Sequence, residues 1–326
     1  MEIINRLYES AKLKRGKIVL PEATFDERVM NASKILVERQ LCEVVLIGNK
    51  EQFCDTLRNS EYVTIVDSES YPRINEMAQL LMNIRKKDNL DVNKAIDMLH
   101  EPRYFATMLV KMGEADGMVL GAYYTTADAL RPALQIIKGK QGKKVIGSMI
   151  LTREDLIEPY LFLDVSLNEN PTAEDLAYMG INSGEFYETV LRRFPKIAYL
   201  SYSTHGSAEG EMVQKMRTAS SIANEVNKGR YDIDGEIQFD AAIVDSVCQT
   251  KCPNSPLLGR ANVFVFPDLN CGNIAYKIAQ RLGNMTAIGP IMLNFNHPVN
   301  DLSRGCSVQD IVDTVVITKL QIKEEN

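Results

Sequence analysis

The sequence predicts an α/β protein of two domains, each a mostly parallel sheet covered by helices on both faces. The chain has 326 residues, which at roughly 150 residues per domain is the length of about two domains. Short apolar runs rich in β-branched residues alternate with helical patterns, as in βαβ units. Apolar residues make up 45% of the chain and charged residues 25%, so disordered and fibrous classes are excluded.

The strand candidates are the runs 17–20, 43–48, 117–121, 196–201 and 261–267. Nearly continuous apolar strands of this kind are typical of parallel sheets that are buried on both faces. In such sheets ligands bind beyond the carboxyl ends of the strands. The chemistry is therefore expected in the loops that lead from strands into helices.

Two segments are predicted to divide the chain. Residues 138–144 form a polar stretch of Gly and Lys between periodic segments, and the pattern changes again after Gly289-Pro290. We predict a discontinuous first domain of residues 1–145 and 290–326, to which the C-terminus returns. Residues 146–289 are predicted to form the second domain.

Composition excludes several classes of partner. The formal charge of −6 argues against a nucleic-acid-binding surface spread over the protein. No stretch approaches the ~18 consecutive apolar residues of a membrane helix, and the N-terminus lacks the apolar core of a secretory signal. The six cysteines and three histidines are too sparse for a disulfide framework or a zinc site. We expect a cytoplasmic protein with no metal.

Common cofactor and hydrolase motifs are missing from the sequence. It has no G-x-G-x-x-G after a strand, no Walker A loop, no G-x-S-x-G elbow and no H-E-x-x-H. An enzyme with this sequence would work through carboxylates, arginines and hydroxyls.

The loop after the strand 117–121 has two interpretations. The hydroxyls of Thr125 and Thr126, the amides at a helix start and Arg131 one turn later would form an anion cradle. Alternatively, Thr125 and Asp128 form a capping box at the helix start, and Arg131 pairs with Asp128. Because caps outnumber ligand sites, these residues alone favour capping.

Two further strand-end loops, 203–207 and 267–273, are also rich in hydrogen-bond donors. Each has an ordinary alternative, a helix cap for the first and a turn for the second. Three loops of this kind in one chain favour a ligand that carries phosphate.

The segment 298–310 concentrates reactive side chains. Arg304 offers a bidentate fork for a phosphate, Ser303 offers a hydroxyl, and a partly buried Asp310 can act as a general base. Ser307 and Asp310 also fit a capping box, an interpretation that stands level with the catalytic one. Cys306 is a candidate thiolate, although a buried structural thiol fits it better.

Four segments of the chain resemble the phosphate acetyltransferase family: 125–135, 234–242, 262–270 and 298–306. The resemblance implies reversible transfer of an acetyl group between coenzyme A and inorganic phosphate, by direct attack of the coenzyme A thiolate. It implies a fold similar to the isocitrate/isopropylmalate dehydrogenases, with the site in the cleft between domains, and a homodimer. Coenzyme A, acetyl phosphate and phosphate would be substrates, with no permanently bound cofactor.

The resemblance also assigns residues. The residue that matches Asp310 is thought to deprotonate the thiol of coenzyme A. Residues that match Ser303 and Arg304 hold the acyl phosphate and its transition state. The predicted substrate contacts are Arg131, Arg281, Arg85, Thr125, Thr126 and Asn300.

Some positions depart from the family pattern. His297 stands where the family commonly has Lys, Asn294-Phe295 replaces a usual Gly-Leu, and Tyr124 stands where His or Asn is common. These departures concern substrate affinity and the shape of the acyl pocket. Two alternatives follow: a phosphate acyltransferase that prefers propionyl or butyryl groups, and a non-catalytic protein that binds coenzyme A or phosphate.

Overall fold

The structure is a computed structural model that describes residues 2–323, with side chains from residue 4 onward. It divides into two compact units. The first unit contains residues 4–139 and the described residues from 295 onward, and the second unit contains residues 140–294.

The first unit is built on a five-stranded parallel sheet. Its strands are β1 (Lys17–Leu20), β2 (Glu43–Ile47), β3 (Val63–Val66), β4 (Gly117–Leu120) and β11 (Val299–Asp301). Their order is β11-β4-β1-β2-β3, and every pairing is parallel. The carboxyl ends of β11, β4 and β1 therefore lie side by side at one edge of the sheet.

Helices cover the sheet of the first unit. They are α1 (Glu2–Leu13), α2 (Glu27–Glu38), α3 (Asp55–Arg58), α4 (Ile74–Ile84), α5 (Val92–Leu99), α6 (Pro102–Lys111), α7 (Thr126–Ile136) and α13 (Val308–Gln321), with 3₁₀ turns at Lys50–Gln52 and Lys86–Asp88. Every residue of β4 is buried, as is every residue of α13 from 311 to 319. A strand buried on both faces explains why 117–121 is a continuous apolar run rather than an alternating one.

The second unit is built on a six-stranded mixed sheet. Its elements are β5 (Ile146–Thr152), β6 (Tyr160–Leu163), α8 (Ala173–Thr189), β7 (Lys196–Leu200), α9 (Glu211–Asn227), β8 (Asp232–Ile237), α10 (Phe239–Ile243), α11 (Asp245–Lys251), β9 (Val263–Val265), α12 (Leu269–Arg281) and β10 (Thr286–Leu293). The strand order is β10-β5-β6-β9-β7-β8. The strands β6, β9, β7 and β8 pair with one another in parallel. Strand β5 pairs antiparallel with both β10 and β6.

The chain passes between the units at 139/140 and 294/295, not at the predicted 145/146 and 289/290. The second crossing lies later because β10 continues through Gly289-Pro290 to Leu293, paired with β5 on both sides of an irregularity between Ile288 and Ile291. The predicted α/β class with two mostly parallel sheets is confirmed. Within residues 2–323, no helix is long and apolar enough to cross a membrane.

Candidate active site

Three loops of the first unit leave the same edge of its sheet. They follow β1, β4 and β11, which are neighbouring parallel strands. Each loop leads into a helix, with Asp26 capping α2, Thr125 capping α7 and Ser307 capping α13. Because a helix N-terminus presents amides and partial positive charge, this edge favours an anionic ligand.

Glu22 holds the loop after β4 through its backbone amides. Its buried carboxylate accepts hydrogen bonds from four successive amides, those of residues 121–124, at 2.9 to 3.3 Å. Burial raises the pKa of Glu22 despite these bonds. Since the four amides point at Glu22, they are not available to a ligand, and the loop is preformed.

Arg28 connects all three loops. Its Nη1 donates to the carbonyl oxygens of Arg304 (2.8 Å) and Cys306 (2.9 Å) in the loop after β11. Its Nη2 donates to the carbonyl oxygen of Ala122 (2.7 Å) and to Asp26 (2.6 Å). The loop after β11 is therefore held mainly by its backbone, which leaves the side chains of Ser303 and Arg304 outside this network.

Ser303 and Arg304 are exposed at this edge. Within residues 4–323, the Arg304 guanidinium makes no ion pair or hydrogen bond, and the Ser303 hydroxyl accepts only the Gly305 amide, at 3.3 Å. A guanidinium and a hydroxyl beside three helix N-termini form a suitable receptor for a phosphate group.

Asp310 is the third residue of α13 and is partly buried. Its Oδ2 accepts the Ser307 amide at 2.8 Å, and the Ser307 hydroxyl accepts the Asp310 amide at 3.2 Å. The capping box is therefore formed. It uses Oδ2 only, and Oδ1 has no hydrogen bond among the described residues, so capping and a reaction at Oδ1 are compatible.

Cys306 belongs to the loop after β11 and is buried. Burial raises the pKa of its thiol to about 11, and the nearby positive charge of Arg28 offsets this only in part. A thiol with this pKa stays protonated at neutral pH. The structure thus favours the structural interpretation of Cys306 over the nucleophilic one.

The start of α7 has the geometry of the capping interpretation. The Thr125 hydroxyl accepts the Asp128 amide at 3.2 Å and donates to Asp128 Oδ2 at 2.8 Å. Arg131 lies 3.2 Å from Asp128 Oδ1, and its side chain remains 55% exposed. Thr126 is different, because it lies near the buried Asp301 and its hydroxyl acts to lower the pKa of that carboxyl.

Two of the predicted arginines belong to helices other than those that follow these loops. Arg85 ends α4, where its Nε is 2.9 Å from Asp88 and its Nη1 is 3.7 Å from the sulfur of Met98. Arg281 is the last residue of α12 in the second unit and is exposed. Within the first unit, Arg85 makes no hydrogen bond to Ser303, Arg304 or Asp310.

The prediction that Asn300 contacts substrate needs correction. Its side chain is fully buried, and its amide nitrogen donates to Thr318 (2.7 Å) and Gln321 (2.6 Å) of α13. Asn300 follows the period of two along β11, so it faces the helix layer and attaches α13 to the sheet.

In the second unit, the loop 203–207 is held by Glu236 at the end of β8. This buried carboxylate accepts the Gly206 amide (2.8 Å), the Ser203 hydroxyl (3.1 Å) and Arg217 Nε (2.8 Å). Burial alone would raise the pKa of Glu236, but these bonds outweigh it and lower the pKa to about 2. The loop 267–273 provides Asp268 as the cap of α12.

Sequence reasoning missed three residues of the site: Glu22, Arg28 and Asp301. Each carries a signal in retrospect. Glu22 is an acid two residues after a buried strand, Arg28 lies in the first turn of the next helix, and Asp301 is a charged residue at the end of a short strand. None of these signals identifies the groups that the residue contacts, so the sequence alone does not distinguish these residues from others.

A family model described as "Phosphate acetyl/butaryl transferase" matches residues 2–319. A protein of Thermoanaerobacterium thermosaccharolyticum named phosphate acetyltransferase is 40% identical over 328 aligned residues, which cover 98% of this chain and 99% of that protein. A solved phosphotransacetylase from Streptococcus pyogenes is 43% identical, with a TM-score of 0.90 and 98% of each chain covered.

A more distant structure bears on the fold alone. A putative 4-hydroxythreonine-4-phosphate dehydrogenase from Salmonella typhimurium has a TM-score of 0.55 at 12% identity, covering 94% of this chain and 99% of that one. The expected similarity to a dehydrogenase-like fold is thereby confirmed. The chain therefore has a dehydrogenase-like fold without the G-x-G-x-x-G motif for dinucleotide binding.

Proposed function

The chain belongs to the phosphate acetyl/butaryl transferase family, and from this we propose that it is an acyltransferase that exchanges acetyl-CoA and phosphate with coenzyme A and acetyl phosphate. The observation that carries the proposal is the loop after β11. There an exposed Arg304 and Ser303 stand beside the helix N-terminus that bears Asp310.

The reaction needs a thiolate and a receptor for phosphate. A thiol with a pKa near 8.5 is mostly protonated at neutral pH, so Asp310 takes the proton of the coenzyme A thiol through Oδ1. The sulfur then attacks the carbonyl carbon of acetyl phosphate and forms a C–S bond. The carbonyl oxygen becomes an oxyanion, the C–O bond to phosphate breaks, and inorganic phosphate leaves. The reverse reaction uses the same atoms.

Ser303 and Arg304 bind the phosphate and the charge that develops beside it. A guanidinium without an ion pair does not have to break one before it binds phosphate. Preorganised donors of this kind are typically the largest contribution to such a step. Arg131, Thr125, Thr126, Arg85 and Arg281 remain proposed substrate contacts, assigned by the family resemblance.

The remaining features are proposed on the same family ground. Coenzyme A acts as a substrate, no cofactor is permanently bound, the protein forms a homodimer, and it works in the cytoplasm.

The test is thioester formation from acetyl phosphate and coenzyme A, followed by absorbance, with wild type beside Asp310→Asn. An asparagine keeps an oxygen that accepts the Ser307 amide, so the capping box survives while the base is lost. We expect kcat to fall about 10²- to 10⁴-fold, with the melting temperature nearly unchanged.

Two controls separate catalysis from capping. Ser307→Ala removes the other half of the same box and should lower stability more than Asp310→Asn does. Asp175→Asn alters the equivalent position of the Thr172–Asp175 capping box on α8 and should leave kcat unchanged. Full turnover by Asp310→Asn, with the wild-type pH dependence, would return Asp310 to a capping role alone.

A further inference from the structure

Asp301 is a buried carboxyl group that the proposed reaction leaves unused. It ends β11, opposite Leu120 of β4, and its side chain is fully buried. The next three residues are Leu302, Ser303 and Arg304. A buried carboxyl at the point where the reactive loop leaves the sheet is costly unless its oxygens find partners.

Gly121 fixes the place of this carboxyl. Its φ of +108° is in the region that favours glycine, and a β-carbon there would overlap Asp301 Oδ1. On its other side the Gly121 amide donates to Glu22 at 2.9 Å. The end of β4 therefore lies between two buried carboxyl groups, Asp301 at the end of β11 and Glu22 in the loop after β1.

The groups that act on Asp301 come from the loops of the site. Neither of its oxygens makes a hydrogen bond of ordinary geometry among residues 4–323, but the Thr126 hydroxyl and the Leu302 amide lie where they favour the ionised form. Burial outweighs them and, with the charge of Glu22, raises the pKa of Asp301 to about 7. The charge of Glu22 also raises the pKa values of Arg28 and Cys306.

We propose that Asp301 is a positioning residue for Ser303 and Arg304. Its carboxyl group lies against Gly121 at the end of β4, close to the Leu302 amide, and so fixes the point at which the loop after β11 leaves the sheet. Catalytic hydrogen bonds are often poorly aligned before ligand binds and tighten in the complex. The role rests on the proposed function, because it concerns the geometry of that reaction.

The kinetic test compares Asp301→Asn with wild type and with a matched control. A displacement of about 1 Å in a reactive group costs about 10²-fold in rate, so we expect kcat to fall about 10- to 100-fold. The KM for coenzyme A should stay within about twofold. The control is Asp313→Asn, which alters another buried carboxyl, on α13, bonded to Tyr8 and Gln309. It should lower stability and leave kcat within about twofold.

A pH series tests the burial of the Asp301 carboxyl, on which its place at the end of β11 depends. Asp301 binds its proton more tightly in the folded than in the unfolded state, so its stabilising effect is full at low pH and is lost as pH rises through about 7. Asparagine does not titrate. The melting temperature of Asp301→Asn relative to wild type should therefore increase between about pH 5 and about pH 8.

A double-mutant cycle tests the partner. If Asp301 acts through Thr126, the variant with both Asp301→Asn and Thr126→Val should lose no more kcat/KM than the worse single variant. Independent losses that multiply would overturn the coupling.

Binding of inorganic phosphate, measured by calorimetry, separates the two proposals. Wild type that forms no thioester overturns the proposed function, whereas phosphate binding still reports on Asp301. We expect Asp301→Asn to bind phosphate at least about fivefold more weakly. Equal phosphate affinity in both proteins, with equal kcat wherever turnover is measured, would overturn the positioning role.

Discussion

The two units treat a strand-end loop and its charges in opposite ways. In the second unit, Arg217 and Glu236 pair with each other, and the loop 203–207 is bonded to that pair. In the first unit, Arg28 supports the loop after β11 through carbonyl oxygens, and the guanidinium of Arg304 has no ion pair among residues 4–323. The loop 203–207 is bonded to a paired arginine and glutamate, whereas the loop after β11 carries an arginine that has no ion pair among residues 4–323.

The buried carboxyl groups show the same contrast. Glu236 has a pKa of about 2 because an arginine and two further donors outweigh its burial. Asp301 has a pKa of about 7 because burial is met by weak donors and a neighbouring carboxylate. Perturbed pKa values of the second kind are more common at functional sites than in paired structural networks. The contrast supports the proposed function of the loop after β11, and we expect a structural role for Glu236 and Arg217.

Arg304→Gln is the strongest test of that contrast. It removes the charge that faces the ligand and breaks no ion pair, so we expect kcat/KM for acetyl phosphate to fall about 10²- to 10³-fold, with little change in melting temperature. Arg15→Gln, at another exposed arginine of the first unit, is the matched control and should change neither quantity. A large loss of stability in Arg304→Gln would mean that this guanidinium has a structural partner.

Arg217→Gln should show the opposite pattern. It leaves the buried Glu236 with only the Gly206 amide and the Ser203 hydroxyl, so we expect the melting temperature to fall by several degrees. The loss in kcat/KM should be smaller than about tenfold. A kinetic loss as large as that of Arg304→Gln would show that the loop 203–207 also takes part in the reaction.

The pH dependence of Arg217→Gln sharpens the same point. The pKa of Glu236 is lowered in the folded protein, so its contribution to stability is full above its ordinary value and is lost as pH falls toward about 2. Without Arg217 the pKa of Glu236 in the folded protein is higher and this contribution is smaller, so the variant should unfold at a higher pH than wild type. Acid unfolding followed by circular dichroism measures the shift, and coincident wild-type and variant curves would contradict it.

The fold was predictable where its signals are local. The apolar runs became β1, β2, β4, β7 and β9, because a strand buried on both faces shows its apolar character within a few residues. The antiparallel pairing of β5 with β10 was not predicted, because it joins residues such as Ile146 and Leu293 that are far apart in the chain. The second crossing between units was misplaced for the same reason.

The site was predictable as a motif but not as a network. Ser303, Arg304 and Asp310 lie within one short segment that resembles a known family. The supports of that segment are distant in sequence: Arg28 contacts the carbonyl of a residue 276 positions away, and Glu22 contacts an amide 99 positions away. Both bind backbone atoms, whose positions no residue type specifies, so only the folded chain identifies these contacts.

Cys306→Ala should have the smallest effect on kcat, and it tests whether the Cys306 sulfur takes part in the reaction. The thiol is buried, its pKa is raised to about 11, and Arg28 Nη1 is only 3.8 Å from its sulfur while donating to its carbonyl oxygen. Alanine keeps that carbonyl, so the loop keeps its main support, and the lost sulfur should cost about 1 kcal/mol of stability. We expect kcat within about threefold of wild type, measured by thioester formation. A loss as large as that of Asp310→Asn would mean that the sulfur carries the acetyl group, and the direct attack by coenzyme A would have to be abandoned.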